Sequence, residues 1–431
     1  MVRSPAFHGP VGKTGLFEVK ATVLIATTSP SRWFSAARLA MAMSNAGFTV
    51  EAVCPPGHSL GLTSVVQRTY DYSGLSPLRS FTAAIVASKP DLVVPTNDYA
   101  VQYLHRIHAR EKARGKPSDD IARLIEHSLG DPASFLVVYA RAAFMQLAQE
   151  EGVRVPQTKR IESVEALNDW ISEGGLPTVL KADRTSGGEG VRIARNRDEA
   201  LKAFKALQAP PLLARAVKRA VFDQDKTLLL PSINRNRSIV NGQAFIGGRE
   251  ATSLITCWKG AVLASLHFEV VNKQNASGPA TVLRLIENAD MTSATEKIAK
   301  RLNLSGLHGF DYMIEDRTSN AYLIELNPRA TQVGHLALGP GRDLAAALFS
   351  ASTGATLHES AKLTDNDTIA LFPQEWLRNP DSSFLQSGYH DVPWGEPALI
   401  RACMRSRRKR GLIVSEQEWI RAFSGVRPPP R

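Results

Sequence analysis

The first hundred residues alternate short apolar runs with helical patterns, and this order is the strongest constraint on the fold. Residues 22–27 form a β-branched, wholly apolar run, as expected of a strand buried on both faces. Further strands are predicted at 48–53 and 91–95, with helical stretches at 31–45 and 78–85. Strand–helix–strand alternation with short links favours a parallel sheet. The loops after its strands would then lie at one edge, where open α/β sheets bind ligands.

The composition excludes several classes of protein. Of the 431 residues, 43% are hydrophobic and 22% are charged, which excludes a wholly disordered chain. The cysteines, Cys54, Cys257 and Cys403, lie too far apart for a disulfide scaffold or a zinc ribbon and fit a reducing cytosol. No apolar run approaches the ~18 residues that span a bilayer, and the N-terminus lacks the apolar stretch of a secretion signal. We therefore expect a cytoplasmic protein with no membrane partner.

The positive charge is concentrated near the C-terminus. The chain has 52 basic and 41 acidic residues, a net charge of +11, and residues 401–431 contribute nine basic and two acidic residues, or +7. The preceding 400 residues therefore carry only +4. The basic run at 405–410 could bind nucleic acid or anionic lipid by neutralising phosphates. Because no aromatic residues are interleaved for base stacking, a solvated tail is the preferred interpretation and no nucleic-acid partner is expected.

Two apolar strands at 310–314 and 321–326 flank a polar turn and predict a β-hairpin. On paired strands, Asp311 and Glu325 would lie opposite each other. Glu325 and Asn327 are two residues apart, so their side chains would point the same way. Two carboxylates and an amide oxygen suit Mg²⁺.

The end of this hairpin is also distinctive. Pro328 would terminate the second strand and fix the direction of Arg329. The alternative interpretation of the segment is an ordinary solvent-facing hairpin with exposed charges. That alternative leaves the Asn-Pro-Arg sequence without a purpose.

A second pattern, residues 177–191, joins a buried strand to a glycine-rich loop at 185–190. The strand ends in Lys181, whose ammonium group must be paired because an isolated buried charge is costly. Backbone N–H groups of such a loop can approach phosphate oxygens closely. The segment is not a Walker P-loop, since no Gly-Lys-Ser/Thr opens a helix. Taken alone, it is better interpreted as a plain glycine hairpin.

Residues 241–250 have the composition of a strand, a glycine turn and a strand, so this segment alone also predicts a β-hairpin. It could offer a backbone edge for a purine and a carboxylate for a ribose hydroxyl. Elsewhere, Ser293 and Glu296 form a capping-box pattern, and Asp343 would cap another helix. His335 would either contact substrate or pack, and both interpretations stay open.

Together, in this order and spacing, the three segments resemble the ATP-grasp superfamily of carboxylate ligases. The resemblance covers about residues 20–355, and Glu325-Leu-Asn-Pro-Arg329 is its most specific part. It implies a fold of the α/β and α+β classes. A Rossmann-like pre-ATP-grasp domain with a parallel sheet would precede two α+β subdomains. The expected boundaries are 20–130 for the first domain, 131–211 for the small subdomain with the phosphate loop, 212–355 for the large subdomain with the metal site, and 356–431 for a C-terminal extension with a basic tail.

The resemblance also implies roles for residues at matching positions. The expected ligands of two magnesium (or manganese) ions that bridge the phosphates of ATP are Asp311, Glu325 and Asn327. The expected nucleotide-binding residues are Arg141, Lys181, Thr185, Ser186, Gly187, Gly188, Gly190, Gln243, Ala244, Phe245, Ile246 and Glu250. Of these, Lys181 would contact the α/β phosphates, the 243–246 segment would hold the adenine, and Glu250 would hold the ribose. Arg329 would be catalytic and would steady the negative charge that develops during transfer.

The chain departs from the family pattern at two positions that would face the nucleotide. Arg141 stands where a lysine is usual, and Glu189 stands between loop glycines where a lysine is common. The arginine keeps the charge but not the compact geometry of a lysine. A carboxylate beside phosphates would repel them unless it turned to solvent.

The implied activity is that of an ATP- and Mg²⁺-dependent ligase. It would join a small-molecule carboxylate to an amine, forming a C–N bond through an acyl phosphate. The alternative is a non-catalytic or regulatory ATP-binding protein of the same fold. A homo-oligomer is compatible with either function.

Overall fold

The fold was analysed in a computed structural model, which describes residues 20–29, 34–115, 120–183, 190–209, 238–276 and 278–408. In these ranges the helices are α1 (Ser35–Asn45), α2 (Pro77–Ser88), α3 (Asp98–Ala113), α4 (Asp120–Leu129), α5 (Arg141–Glu150), α6 (Val164–Gly174), α7 (Arg197–Gln208), α8 (Ala289–Arg301), α9 (Leu344–Thr353), α10 (Gln374–Arg378), α11 (Phe384–Ser387) and α12 (Pro397–Arg408). The strands are β1 (Ala21–Ala26), β2 (Phe48–Cys54), β3 (Val66–Asp71), β4 (Leu92–Pro95), β5 (Thr158–Ile161), β6 (Thr178–Ala182), β7 (Val191–Ala194), β8 (Val240–Ala244), β9 (Gly248–Trp258), β10 (Ala261–Lys273), β11 (Ala280–Leu285), β12 (Gly306–Glu315), β13 (Ala321–Asn327), β14 (Thr368–Leu371) and β15 (Tyr389–Asp391).

A four-stranded parallel sheet in the order β3-β2-β1-β4 forms the first unit. The apolar runs predicted as strands are β1, β2 and β4, so the parallel sheet is confirmed. The sequence pattern does not predict β3, because most of its side chains are exposed and polar. Helix α1 packs on one face of the sheet, while α2, α3 and α4 pack on the other.

A second, antiparallel sheet has the order β5-β8-β6-β7, and α6 and α7 cover it. Helix α6 begins after Ser163, whose Oγ accepts a hydrogen bond from the N–H of Ala166 at 3.2 Å. Lys181 and Val191 are paired on β6 and β7, so the flanks of the glycine segment form the predicted hairpin. The loop between them, residues 184–189, lies outside the described residues.

The largest sheet has the order β13-β12-β9-β10-β11-β14-β15 and is antiparallel except for its last pair. The hairpin predicted at 241–250 is wrong, because β8 belongs to the small sheet and β9 to the large one. The glycines between them therefore carry the chain from one sheet to the next. At Gly248 a Cβ would lie 2.1 Å from the carbonyl oxygen of Ile314, so only glycine fits against β12.

Apolar side chains cover both faces of the large sheet. On one face, β1, β2, β4 and α1 of the first unit pack together with α9 against it, around Leu39, Leu254 and Phe268. On the other face, α5 and α8 pack around Ile298 and Phe310. These two layers fix the position of the first unit relative to β12 and β13.

The two helix starts predicted in this region have different outcomes. Helix α8 begins after Asn288, whose Oδ1 accepts a hydrogen bond from the N–H of Met291 at 3.0 Å. The predicted capping box at Ser293 and Glu296 is wrong, because both residues lie inside the helix. The predicted cap Asp343 is confirmed, since its Oδ1 accepts a hydrogen bond from the N–H of Ala346 at 3.1 Å.

The chain beyond residue 355 continues the large sheet, because β14 pairs with β11 and β15 pairs with β14. Helix α12 buries Leu399, Ile400 and Cys403 in a core that it shares with α1. The predicted domain boundaries stay predictions, and the side chains of the basic run at 405–410 lie outside the described residues. Within the described ranges, none of the helices combines the length and the apolar character needed to cross a membrane.

Candidate active site

The predicted hairpin is formed by β12 and β13, and it brings the two carboxylates together. Asp311 and Glu325 are directly paired across the strands, as predicted. Asn327 Nδ2 donates a hydrogen bond to Asp311 Oδ2 at 2.9 Å, and Thr252 Oγ1 on the neighbouring strand β9 donates one to Asp311 Oδ1, also at 2.9 Å. The three predicted metal ligands therefore lie on one face of the large sheet.

A β-bulge lies immediately before the paired carboxylates. Asp311 pairs with Glu325 but Tyr312 pairs with Leu323, so Ile324 is an extra residue on β13. A bulge re-aims the side chains that follow it. Here it places Glu325 on the face occupied by Asp311, while Leu323 and Leu326 both remain in the core.

The electrostatic environment of Asp311 disfavours its charged form relative to a carboxyl group in water. Burial and the nearby Glu325 carboxylate raise the pKa of Asp311 from 3.8 to about 6, although the hydrogen bonds from Thr252 and Asn327 act in the opposite direction. A carboxylate whose charge is disfavoured in this way is stabilised when a cation binds beside it. The carboxylate pair is therefore suited to bind a cation.

Lys181 reaches the same place from the small sheet. It is 5% exposed at the end of β6, and its Nζ donates a hydrogen bond to the carbonyl oxygen of the bulged Ile324 at 3.3 Å. Burial, with a smaller contribution from Arg141, lowers the pKa of Lys181 to about 8, although Glu325 and Asp311 act in the opposite direction. The expected pairing of this buried ammonium group is thus observed, with a carbonyl and nearby carboxylates.

Arg141, the first residue of α5, links the small sheet to the hairpin. Its Nη2 donates a hydrogen bond to Glu325 Oε1 at 2.6 Å, and its Nη1 lies 3.4 Å from the carbonyl oxygen of Ala182. Only 11% of the Arg141 side chain and 23% of the Glu325 side chain are exposed. The predicted phosphate-binding arginine therefore contacts a predicted metal ligand directly.

Arg329 is held by the first unit and by β13 together. Its Nε donates a hydrogen bond to Asp98 Oδ1 at 3.0 Å, and its Nη2 donates one to Asn327 Oδ1 at 3.1 Å. Burial opposes the charge of Arg329, but the Asp98 carboxylate raises its pKa above the ordinary value overall. Asp98 opens α3 directly after β4, at the edge of the parallel sheet where a ligand was expected.

The residues expected to hold the nucleoside lie on two sheets. The buried Gln243 donates a hydrogen bond from Nε2 to Thr158 Oγ1 at 3.1 Å, and the N–H of Ala244 donates one to the carbonyl oxygen of Gln157 at 2.9 Å. In the segment between the sheets, Phe245 is 40% exposed and Ile246 is half-buried.

Glu250 pairs with Met313 and therefore lies on the same sheet face as Asp311, two residues along the strand. Its Oε1 accepts a hydrogen bond from Lys273 Nζ at 2.5 Å. Thr185, Ser186, Gly187 and Gly188 lie outside the described residues. Gly190 is described, and its carbonyl oxygen accepts a hydrogen bond from the N–H of Ala182 at 2.9 Å.

Sequence reasoning missed Thr252 and gave Asp98 no role. A threonine inside a long strand carries no signal of its own, and only the strand pairing shows that it meets Asp311. For Asp98 a signal existed, because a carboxylate followed a predicted strand at the ligand-binding edge. His335, left open between contacting substrate and packing, is buried, and its Nε2 lies 2.5 Å from Asp391 Oδ2.

The donor set fits Mg²⁺ in a particular way. In the described part of the chain, no cluster of three or more His, Cys, Asp or Glu side chains could hold a metal ion. Mg²⁺, however, is usually bound by one or two carboxylates, with substrate phosphates and water completing its octahedron. Asp311 and Glu325, with the Asn327 oxygen beside them, match that incomplete protein set.

Comparison with known proteins identifies the family. The family model described as the carbamoyl-phosphate synthase L chain, ATP binding domain, matches residues 140–360, which is just over half of the chain and includes the hairpin, Lys181 and Arg141. The chain belongs to this family. The match supports the resemblance drawn from the sequence.

Curated relatives of this family match only in part. The arginine-specific carbamoyl phosphate synthase large chain of Halalkalibacterium halodurans is 23% identical over 239 residues, covering 54% of this chain and 21% of that protein. The large chain from Deinococcus deserti is 24% identical over 253 residues, covering 57% and 22%. The succinate–CoA ligase [ADP-forming] subunit beta of Ignicoccus hospitalis is 33% identical over 118 residues, covering 25% and 31%. The matched part thus spans between a fifth and a third of these relatives.

Solved structures show the same fold. The biotin carboxylase domain of Hydrogenobacter thermophilus 2-oxoglutarate carboxylase superposes with a TM-score of 0.55 at 16% identity, covering 79% of this chain and 71% of that one. The N5-carboxyaminoimidazole synthetase of Staphylococcus aureus has a TM-score of 0.53 at 13% identity, covering 79% and 80%. The ATP-grasp fold with its N-terminal parallel-sheet domain is therefore confirmed.

Proposed function

We propose that this chain is an ATP- and Mg²⁺-dependent ligase that activates a small-molecule carboxylate as an acyl phosphate and transfers the acyl group to an amine. The observation that carries the proposal is the pairing of Asp311 with Glu325 beneath Lys181 and Arg141. Family membership and the fold support it. The Hydrogenobacter thermophilus domain was solved in complex with MgADP and bicarbonate, and we extend nucleotide and magnesium use to this chain by analogy.

The described residues suggest a division of labour. Asp311, Glu325 and Asn327 would hold Mg²⁺, which when bound neutralises the triphosphate and aligns it for in-line attack. Lys181 would place a charge against the α/β phosphates from its buried position. Arg329, fixed by two hydrogen bonds, would stabilise the charge that develops at the transferred group. Because these groups are already oriented, little reorganisation would accompany the reaction.

The cleft beside Arg329 suggests where the carboxylate binds. Asp98, Arg141, Glu325 and Pro328 line it, at the junction of the first unit with the hairpin. A substrate there would lie within reach of both the nucleotide side and the loops that follow β1 and β4. The first unit would thus select the substrates, and the large sheet would hold the residues that act on the phosphates.

Phosphate release tests the proposal. Purified full-length protein with Mg·ATP is screened over a grid of carboxylic acids and amines, and release that requires one member of each class is expected. Glu325→Gln should abolish that release. Glu315→Gln is the matched control, because Glu315 lies on the same hairpin but its carboxylate accepts a hydrogen bond from Thr318 at an exposed position.

Two results would contradict the proposal. If Glu325→Gln consumed ATP at the wild-type rate, the metal assignment would be wrong. If ATP bound tightly but no pair of substrates on the grid gave turnover, the non-catalytic ATP-binding function would be favoured instead.

A further inference from the structure

Arg141 and Glu325 form a contact that the proposed function does not need. The two side chains meet at 2.6 Å and are largely buried. Glu325 is a proposed metal ligand, and Arg141 stands at a position expected to face phosphate. In this structure, therefore, the guanidinium group occupies the place beside Glu325 that a cation would take.

The charges around this contact balance. Among the described residues of the site, the cations are Arg141, Lys181 and Arg329, and the anions are Asp98, Asp311 and Glu325. A neutral cluster with its carboxylates already paired attracts a free divalent cation weakly, because the cation must displace an existing partner and lose part of its hydration shell.

A triphosphate changes this balance. Arg141 lies in the first turn of α5, where the positive end of the helix dipole disfavours a cation and favours an anion. Phosphate oxygens accept the two parallel hydrogen bonds of a guanidinium group at least as well as a carboxylate does. A nucleotide arriving with its metal would therefore offer Arg141 a new partner and Glu325 a new cation in the same event.

We propose that Arg141 closes the metal site by holding Glu325 and opens it only when a nucleoside triphosphate draws the guanidinium group away, so that the divalent cation enters as the nucleotide complex. The inference rests on the proposed function, because it takes Glu325 as a metal ligand. The inference adds an order of binding to the proposed function. A lysine at position 141 would enforce that order less strictly. The compact ammonium group of a lysine cannot form the same planar contact.

The order of binding is tested by titrating the full-length protein with Mn²⁺. The bound ion is measured from the loss of the EPR signal of free Mn²⁺. Without nucleotide, Arg141→Met should bind Mn²⁺ about tenfold or more tightly than wild type, since the competing charge is gone. Arg141→Lys should fall between the two. With a non-hydrolysable ATP analogue, wild type should remove more free Mn²⁺ than the same concentration of analogue removes without protein.

Arg154→Met is the matched control. Arg154 also pairs with a carboxylate at 2.6 Å, that of Asp290, but on the surface. Its replacement should leave Mn²⁺ binding unchanged. Adding Glu325→Gln to Arg141→Met should remove the gained affinity, which places the ion at Glu325.

The outcomes separate the order of binding from the function. Wild type that binds Mn²⁺ without nucleotide as tightly as Arg141→Met overturns the proposed role of Arg141 but leaves the ligase function intact. Gained affinity that survives Glu325→Gln overturns it as well, because the ion then lies elsewhere. Wild type that binds neither the ATP analogue nor its Mn²⁺ complex contradicts the proposed function itself. If Arg141→Met fails to fold, the comparison of Arg141→Lys with wild type decides.

Discussion

Replacing Asp311 with asparagine should make the metal-free protein more stable while destroying the proposed metal site. In the folded protein the pKa of Asp311 is raised from 3.8 to about 6. At pH 8 the carboxylate is ionised in both the folded and unfolded states. The folded state then carries a penalty of about 2 pKa units, or at most about 3 kcal/mol.

The substitution removes this penalty at some cost. Asp311 accepts two hydrogen bonds, from Thr252 and Asn327. The amide of Asp311→Asn has one oxygen, so the two bonds must rearrange, with the amide N–H donating to the Thr252 hydroxyl, and the weaker hydrogen bonding costs about 1–2 kcal/mol. We therefore expect a net gain of about 1 kcal/mol at pH 8.

The pH dependence is the sharper measurement. Between pH 4 and pH 6 the folded state of the wild type binds more protons at Asp311 than the unfolded state does, so stability falls as the pH rises through this window. The Asp311→Asn variant has no carboxyl group at this position to titrate between pH 4 and pH 6. The plot of its unfolding free energy against pH should therefore lack the part of the decline that comes from Asp311. Urea unfolding at pH 4.5, 6 and 8 in EDTA measures both curves.

Asp381→Asn is the control, because Asp381 is exposed and its replacement should change stability by less than about 0.5 kcal/mol. Wild type and Asp311→Asn curves that run parallel across the window would refute the reasoning. Mg²⁺ and an ATP analogue should reverse the ranking, because only the wild type can gain from the bound cation.

The remaining predictions concern Arg329, which we propose to be catalytic, and also its partner Asp98, the basic tail and the packing of Gly242. Arg329→Ala should lower the rate of substrate-dependent phosphate release by about 10²–10³, and a loss under tenfold would remove Arg329 from the catalytic set. Asp98→Asn should lower kcat less, by about ten- to a hundredfold, because it weakens the contact that orients Arg329 without removing Arg329. An unchanged kcat would show that Arg329 does not depend on Asp98 for its orientation. Truncation after residue 408 keeps α12 and removes five basic and two acidic residues, so it should leave ATP turnover intact while weakening any binding to a polyanion column. Gly242→Ala would place a Cβ 2.8 Å from a buried indole nitrogen and should destabilise the protein by about 1–3 kcal/mol in urea, whereas Gly174→Ala, with nothing within 4 Å, should not.

Much of the fold could be predicted because its strands carry strong local patterns. The run that became β1 is apolar throughout, which only a doubly covered strand explains. The β12–β13 hairpin combined apolar strands with a polar turn, so the hairpin could be predicted and Asp311 could be expected near Glu325. Their direct pairing also needs the bulge, because an unbroken register would pair Asp311 with Ile324.

What could not be predicted depends on contacts between distant segments. The composition of residues 241–250 is that of a hairpin, and nothing local shows that its two strands enter different sheets. The bulge at Ile324 depends on how β13 meets β12 and on the core behind it. The ion pair between Asp98 and Arg329 spans 231 residues, so only the docking of the first unit on the large sheet reveals it.

The pairing of β14 with β11 has a practical consequence for anyone who wishes to isolate the catalytic portion. A fragment that ended at residue 360, where the family match stops, would leave the backbone groups of β11 bare and would remove Ile369 and Leu371 from the interior. Unpaired edge strands form hydrogen bonds with other chains and cause aggregation. Such a fragment should therefore precipitate on expression, and a soluble fragment should include β14 and β15.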